Sequence, residues 1–192
     1  MTTRLTFIQA LSPLHAGTGR GIGVIDMPIA REKATQIPYL PGSSLKGALR
    51  DLCEDPDDLN TRVFGPNTDN AELYSGSAVF SDQRLLLLPV RSLRGVFAWA
   101  TSPYILQRFK RDVLGAKIAV TELPDITVAE SCECLVASQG TLLMNEDRDV
   151  YLEDFDLKGR PQESVDKWAK FIGENLFDDT QWREAFKARF CV

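Results

Sequence analysis

The sequence predicts an α+β fold, a modified RNA-recognition-motif (ferredoxin-like) sheet with long insertions. Three observations predict it. Apolar alternation marks strands at residues 3–11, 76–82, 84–90 and 96–100. Apolar residues at helical spacing mark a helix ending near Cys53, another from Ser102 or Pro103 to about Leu114, and two short ones near the C-terminus. The order strand, long loop, helix, two strands, strand, helix, strand is the one such sheets use.

The elements follow in order. In residues 3–11, Leu5, Phe7 and Leu11 share one face with Gln9, and Ile8 and Ala10 the other. Residues 12–41 form a Gly/Pro-rich loop, with Gly17, Gly19, Gly21 and Gly23 at alternate positions. A connection that long inside one domain is usually functional or partly disordered. Pro41-Gly42 breaks the chain, and Ser43 or Ser44 is expected to cap a helix whose Leu45, Ala48, Leu49 and Leu52 form a buried stripe. Lys46 and Arg50 share another face. Gly47 weakens that helix by about 1 kcal/mol relative to Ala, which makes sense where another backbone approaches closely. Residues 54–74 read as a disorder-prone surface loop, and Leu85 to Leu88 as part of a strand buried on both sides. Residues 132–144 read as strands split at Gln139-Gly140, and 145–160 as acidic and irregular. The last helices carry Val165, Trp168 and Ile172, then Trp182, Phe186 and Phe190, so that 145–192 is an acidic helical segment.

With 192 residues, 44% hydrophobic and 26% charged, the chain suits a single globular domain over 1–192. No apolar run is long enough to cross a bilayer, and no signal-peptide pattern opens the sequence. Cys53, Cys132, Cys134 and Cys191 are few and scattered, as in a reduced cytoplasmic protein with no membrane partner.

The net charge of −5 argues against a wholly basic nucleic-acid binder. Its distribution is uneven. Residues 1–50 carry six basic and two acidic side chains (+4), and residues 121–192 carry eight basic and sixteen acidic ones (−8). That asymmetry permits a basic face on an acidic body, although carboxylates solvating the C-terminal surface explain it more simply.

Residue chemistry leaves alternatives open at each candidate site. The glycine loop before a serine-started helix bearing Lys46 suits a phosphate, and equally a flexible surface loop. It matches neither a nucleotide P-loop nor a dinucleotide fingerprint. His15, the only histidine, lies where the first strand meets the loop; one histidine builds neither a hydrolase triad nor a multi-histidine metal site. Asp26 reads first as a turn carboxylate paired with Arg20 or Arg31, and second as a general base or a single Mg²⁺ ligand. Cys132 and Cys134 read as small buried residues rather than metal ligands. Arg91 and Arg94, with Arg108, Lys110 and Arg111, form a possible second basic patch or simply a solvated surface.

Several stretches resemble the RAMP proteins of CRISPR effector complexes. They are His15-Ala16-Gly17-Thr18-Gly19, the acidic-loop motif Ile25 to Glu32, and Pro38 to Arg50, which matches the specific helix motif P-G-S-S-L-K-G-x-[LI]-R. The stretch from Phe80 to Trp99, continued by Thr101 to Leu106, resembles the backbone subunit of type III-B (Cmr) complexes. The resemblance is close over residues 4–114. It implies a repeated subunit that lines up in further copies along a guide crRNA, beside other type III-B subunits. It also implies a metal-dependent endoribonuclease that cleaves complementary target RNA at regular intervals. By motif match Asp26 is the catalytic residue and the ligand of a divalent cation, Mg²⁺ or Mn²⁺, and His15 is placed beside it as a second catalytic candidate. Ser43, Ser44, Lys46 and Arg50 are expected to hold the guide backbone, helped by Arg20, with Arg91 and Arg94 as further RNA contacts. Family members continue past this length into final strands and a protruding hairpin. The expectation is therefore a shortened chain, or a sheet completed by another chain, with an open edge and no activity in isolation. A non-catalytic RNA-binding scaffold is the alternative, and a protein-interaction module built on the acidic C-terminal part ranks last.

Overall fold

The computed structural model describes residues 2–17, 28–54, 59–66, 68–70, 72–118 and 123–192. The chain forms two compact units, Ala10–Leu85, and Met1–Gln9 with Leu86–Val192.

In the first unit, short antiparallel contacts frame the base of the glycine loop. Gly17 bridges Ile29, Arg31 bridges Pro38, and β1 (Tyr39–Leu40) pairs with a short strand later in the unit. Ala30, 3% exposed, is the hub: its N–H donates to the Ala16 carbonyl at 2.7 Å and its carbonyl accepts from the Tyr39 N–H at 3.1 Å. Helix α1 follows at Gly42–Asp51 and α2 at Leu59–Phe64, then a 3₁₀ turn at Thr68–Asn70 and β2 (Gln83–Arg84), the partner of β1. Residues 54–74 were expected to be loop and instead hold α2. Its Phe64 is buried and stacks on Phe80 at 5.8 Å, an anchor that acidic turn residues on either side mask in the sequence. Residues 76–82 form no strand; Ser77 and Ala78 donate to the carbonyls of Arg62 and Val63, along the end of α2.

The second unit is a mixed six-stranded sheet. Its strands are β3 (Leu88–Arg91), β4 (Phe97–Ala100), β5 (Glu133–Ala137), β6 (Asp149–Leu152), β7 (Phe155–Gln162) and β8 (Phe190–Cys191), in the order β3-β4-β8-β5-β7-β6. β4–β8 and β5–β7 are parallel and the other pairs antiparallel. Helices α3 (Pro103–Gly115), α4 (Glu163–Leu176) and α5 (Thr180–Lys187) complete it. Ser102 caps α3, its hydroxyl accepting the Ile105 N–H at 3.3 Å. Leu106, Leu135, Val165, Trp168, Ile172, Phe186 and Phe190 share one apolar core with the helices. Ala98, Cys134, Val136, Val150, Leu152 and Cys191 form a second. A Ser92–Leu152 bridge joins the ends of β3 and β6, so the sheet curls until its two edge strands meet.

Four further expectations are corrected here. Residues 3–11 make no strand among the described residues. Leu5 and Phe7 are half-buried while Thr6 and Ile8 are exposed, and Phe7 meets Phe109 edge-on at 5.7 Å. The alternation reports a half-buried face, but both sides of β4, β8, β5 and β7 are already taken. The Leu85–Leu88 run is not one strand buried on both sides: residues 85–87 lie in no strand, and Leu88, half exposed, opens the edge strand β3, where Pro89 fits because it has no N–H to give. Residues 145–160 are not irregular: Val150 and Leu152 turn inward while Asp149 and Tyr151 lie outward, an alternation hidden among carboxylates. Phe190 belongs to β8 rather than to the last helix, and Trp182 is 65% exposed. No helix among the described residues is long and apolar enough to cross a membrane.

Candidate nucleic-acid interface

Helix α1 is held at both ends. Its N-cap is Pro41, which offers no capping side chain, so neither Ser43 nor Ser44 caps it as expected; both lie in the first turn, exposed. The Gly42 N–H instead donates to Oδ1 of Asp82, forty positions along the chain, at 2.8 Å. A Cβ built on Gly42 would collide with the Phe80 carbonyl oxygen and lie 2.8 Å from that of Ser81. Only glycine lets the helix start pass that close to another stretch of backbone. The expected phosphate cradle at this terminus is therefore already taken, in part, by the protein's own carboxylate.

The far end is clamped by Arg50. Its Nη1 donates to the Pro66 carbonyl and its Nη2 to the Gly65 carbonyl, both at 3.1 Å, and its own carbonyl accepts from Asn60 Nδ2 at 3.1 Å. The α1–α2 corner depends on these bonds. A guanidinium so engaged has less freedom to reach a phosphate than the sequence suggests.

Between the two clamps one face is open. Ser43, Lys46, Gly47 and Arg50 recur at three- and four-residue spacing and form one stripe. Among the described residues the Lys46 ammonium has no partner, and a Cβ added at Gly47 meets nothing within 4 Å. Gly47 is thus not explained by a close approach of any described residue. The opposite, leucine-bearing stripe was expected to be buried and is not: Leu49 is 38% and Leu52 76% exposed, and Gly42 is the only buried residue of α1.

The remaining candidates are spread over both units. His15 is exposed, two residues before the Gly17–Ile29 bridge. Arg20 and Asp26, both within the loop that this bridge closes, lie outside the described residues. Arg31, one partner considered for Asp26, donates from Nη1 to the Gln36 carbonyl at 2.9 Å. Arg91 and Arg94 are exposed and belong to the other unit, at the β3–β4 turn. That turn is strained and pinned. Gly95 and Val96 have φ of 71° and 74°, an unusual conformation for a β-branched residue, and Arg189 Nε donates to the Gly95 carbonyl at 2.9 Å.

The described residues hold no group of three or more His, Cys, Asp or Glu that fits a metal ion. Cys132 and Cys134 do not form the buried pair expected. Cys132 is exposed just before β5, and Cys134 is buried in the sheet. A hydrogen bond with the Cys134 side chain, reinforced by burial, pushes the Cys191 thiol well above its ordinary pKa, and both sulfurs are buried in the second core.

Asp82 and Asn60 are the residues that sequence reasoning missed. Nothing local marks either, since each acts on α1 from a distant stretch of chain. The one local sign was the missing side-chain cap at Pro41-Gly42, which leaves a helix N–H in need of an acceptor.

The second unit's curled, mixed six-stranded sheet with its helices, together with a unit built on α1 and α2, defines the class as a mixed α+β protein. The sequence profile of the RAMP superfamily matches residues 7–189, and the chain belongs to that superfamily. The CRISPR system Cmr endoribonuclease Cmr4 of Pyrococcus furiosus is 39% identical over 162 residues, 81% of this chain and 52% of the relative. The crystal structure of oligomeric Cmr4 from Pyrococcus furiosus superposes with a TM-score of 0.70 at 31% identity, over 95% of this chain and 65% of that one. A cryo-EM structure of the type III-B Cmr-beta complex bound to cognate target RNA superposes with a TM-score of 0.56 at 20% identity, over 77% of this chain and 55% of that one, a likeness of fold. The chain spans about half the length of the curated relative.

Proposed function

We propose that this chain is the repeated backbone subunit of a type III-B CRISPR effector, that it grips RNA along α1, and that it cleaves target RNA in the assembled complex. The observation that carries the reading is the α1 face, where among the described residues Lys46 has no partner and nothing approaches Gly47, on a helix otherwise clamped at both ends. Relatives named as Cmr endoribonuclease and as oligomeric Cmr4 support the activity and the assembly into further copies. In this reading the curled sheet is a modified RNA-recognition-motif sheet, and guide crRNA, target RNA and other type III-B subunits are the partners. Grip on the backbone alone suits a machine in which base pairing reads sequence.

The chemistry needs little from the protein. The target's own 2′-oxygen attacks the adjacent phosphorus, the P–O5′ bond breaks, and a 2′,3′-cyclic phosphate and a 5′-hydroxyl result. In this proposal Asp26 takes the 2′-hydroxyl proton, and His15, at the foot of the same loop, is the candidate to give a proton to the departing 5′-oxygen. A divalent cation held by Asp26 would stabilise charge on the phosphate, and the described residues add no ready-made cluster to hold it.

Reconstitution with guide and target RNA tests the reading. Asp26→Ala should lower cleavage by about a hundredfold or more with RNA binding retained. Chelation by EDTA should stop the parent enzyme, and Mg²⁺ or Mn²⁺ should restore it. Lys46→Ala should weaken binding and reduce the slope of log affinity against log salt by about one. Cleavage at the parental rate by Asp26→Ala would leave the non-catalytic scaffold as the function.

A further inference from the structure

We infer that Asp82 is a positioning residue for the RNA-gripping face of α1, holding the helix so that Lys46 meets a phosphate. The inference rests on the proposed RNA reading of α1 and adds to it a residue outside the helix motif.

Four observations converge. The helix starts at a proline–glycine pair, so its first turn has no capping side chain of its own. The Asp82 carboxylate supplies the missing acceptor at 2.8 Å. The backbone at Phe80 and Ser81 is so close to Gly42 that any side chain there would force the two apart. Gln83 and Arg84, the next residues after Asp82, pair with Leu40 and Tyr39 just before the helix. The 80–84 segment is thus a seat on which the helix start rests, and the Asp82 bond is its one side-chain fastening to α1 among the hydrogen bonds of the described residues. Lys46 lies one turn further along. A small rotation or lift of the first turn swings its ammonium, because nothing else in the described protein ties it down.

The charge of Asp82 gives the idea a sharp alternative. A carboxylate at a helix N-terminus also repels phosphate from that terminus. If Asp82 only blocked an anion site, removing it would strengthen RNA binding; if it positions Lys46, removing it weakens binding.

The test uses the full chain, labelled oligouridine as probe, and affinity measured across a KCl series. Asp82→Asn keeps an oxygen acceptor and should bind within about twofold of the parent, since capping strengths of Asn and Asp are similar. Asp82→Ala should weaken binding about tenfold, as loss of a cap and of one phosphate contact implies, and lower the salt slope by about one. Lys46→Ala should do the same, and the double variant should be no weaker than Lys46→Ala alone. Gly42→Ala, which forces the helix start off its seat without touching any charge, should reproduce Asp82→Ala; where Asp82→Ala does not fold, Asp82→Ser, a shorter acceptor, replaces it and should weaken binding in the same direction. Tighter binding by Asp82→Ala, or full additivity in the double variant, overturns the positioning role and leaves the RNA reading intact. If Lys46→Ala itself changes neither affinity nor slope, the RNA reading of α1 falls and the positioning role falls with it.

Discussion

Arg50 and Lys46 lie four residues apart on one helix, and their surroundings give them different work. The Arg50 guanidinium holds two carbonyls of the turn after α2, so Arg50→Ala should cost about 1–3 kcal/mol by leaving half-buried acceptors short of donors. Urea unfolding should register that loss, and amide exchange over 59–66 should speed up. Lys46→Ala should leave stability within about 0.5 kcal/mol, as for most surface substitutions without partners. The sequence placed both side chains on one helix face correctly from spacing alone. It did not separate their roles, because the carbonyls of Gly65 and Pro66 reach Arg50 only through the fold. Asp82 stayed hidden for the same reason, forty positions from the N–H it receives.

At the scale of elements, legibility followed the strength of the local pattern. α3 and α4 were readable because each carries a clear apolar stripe. Val165, Trp168 and Ile172 are all within 1% of complete burial, and Trp168 adds an indole bond to the Pro124 carbonyl at 2.9 Å. Trp168→Ala should therefore destabilise by about 3–5 kcal/mol in a denaturant titration, from lost packing and the cavity left behind. β6 and β7 were missed because their inward positions are few and stand among carboxylates. Residues 3–11 and the α1 leucines erred the other way. A periodic pattern tells which side chains share a face, and not whether another element arrives to cover it.

For the molecule as a whole, the acidic C-terminal part is not only solvated surface. Asp166, in the first turn of α4, accepts the Ser138 N–H at 3.1 Å and pairs with Lys187 at 2.9 Å, so one carboxylate ties β5, α4 and α5 together. Burial pushes its pKa up, and the Ser138 and Lys187 bonds outweigh that and hold it below the ordinary carboxylate value. A depressed carboxylate adds stability above its unfolded pKa, about 3.9, and loses it as pH falls through the lower folded value. Thermal melts should show the parent losing its margin over Asp166→Asn as pH drops below about 4. An equal gap between the two at every pH would mean that the charge of Asp166 does not matter.

The position of β8 has a consequence for how the chain is made. This two-residue strand stands between β4 and β5 and joins the two halves of the sheet. As the polypeptide leaves the ribosome, β4 must wait through α3, β5, β6, β7, α4 and α5 for its parallel neighbour. Until then two bare strand edges face each other across a gap, open to any stray strand. Nascent chains of this protein should thus be most vulnerable to misassociation in the interval after β4 and β5 have formed and before β8 emerges to join them.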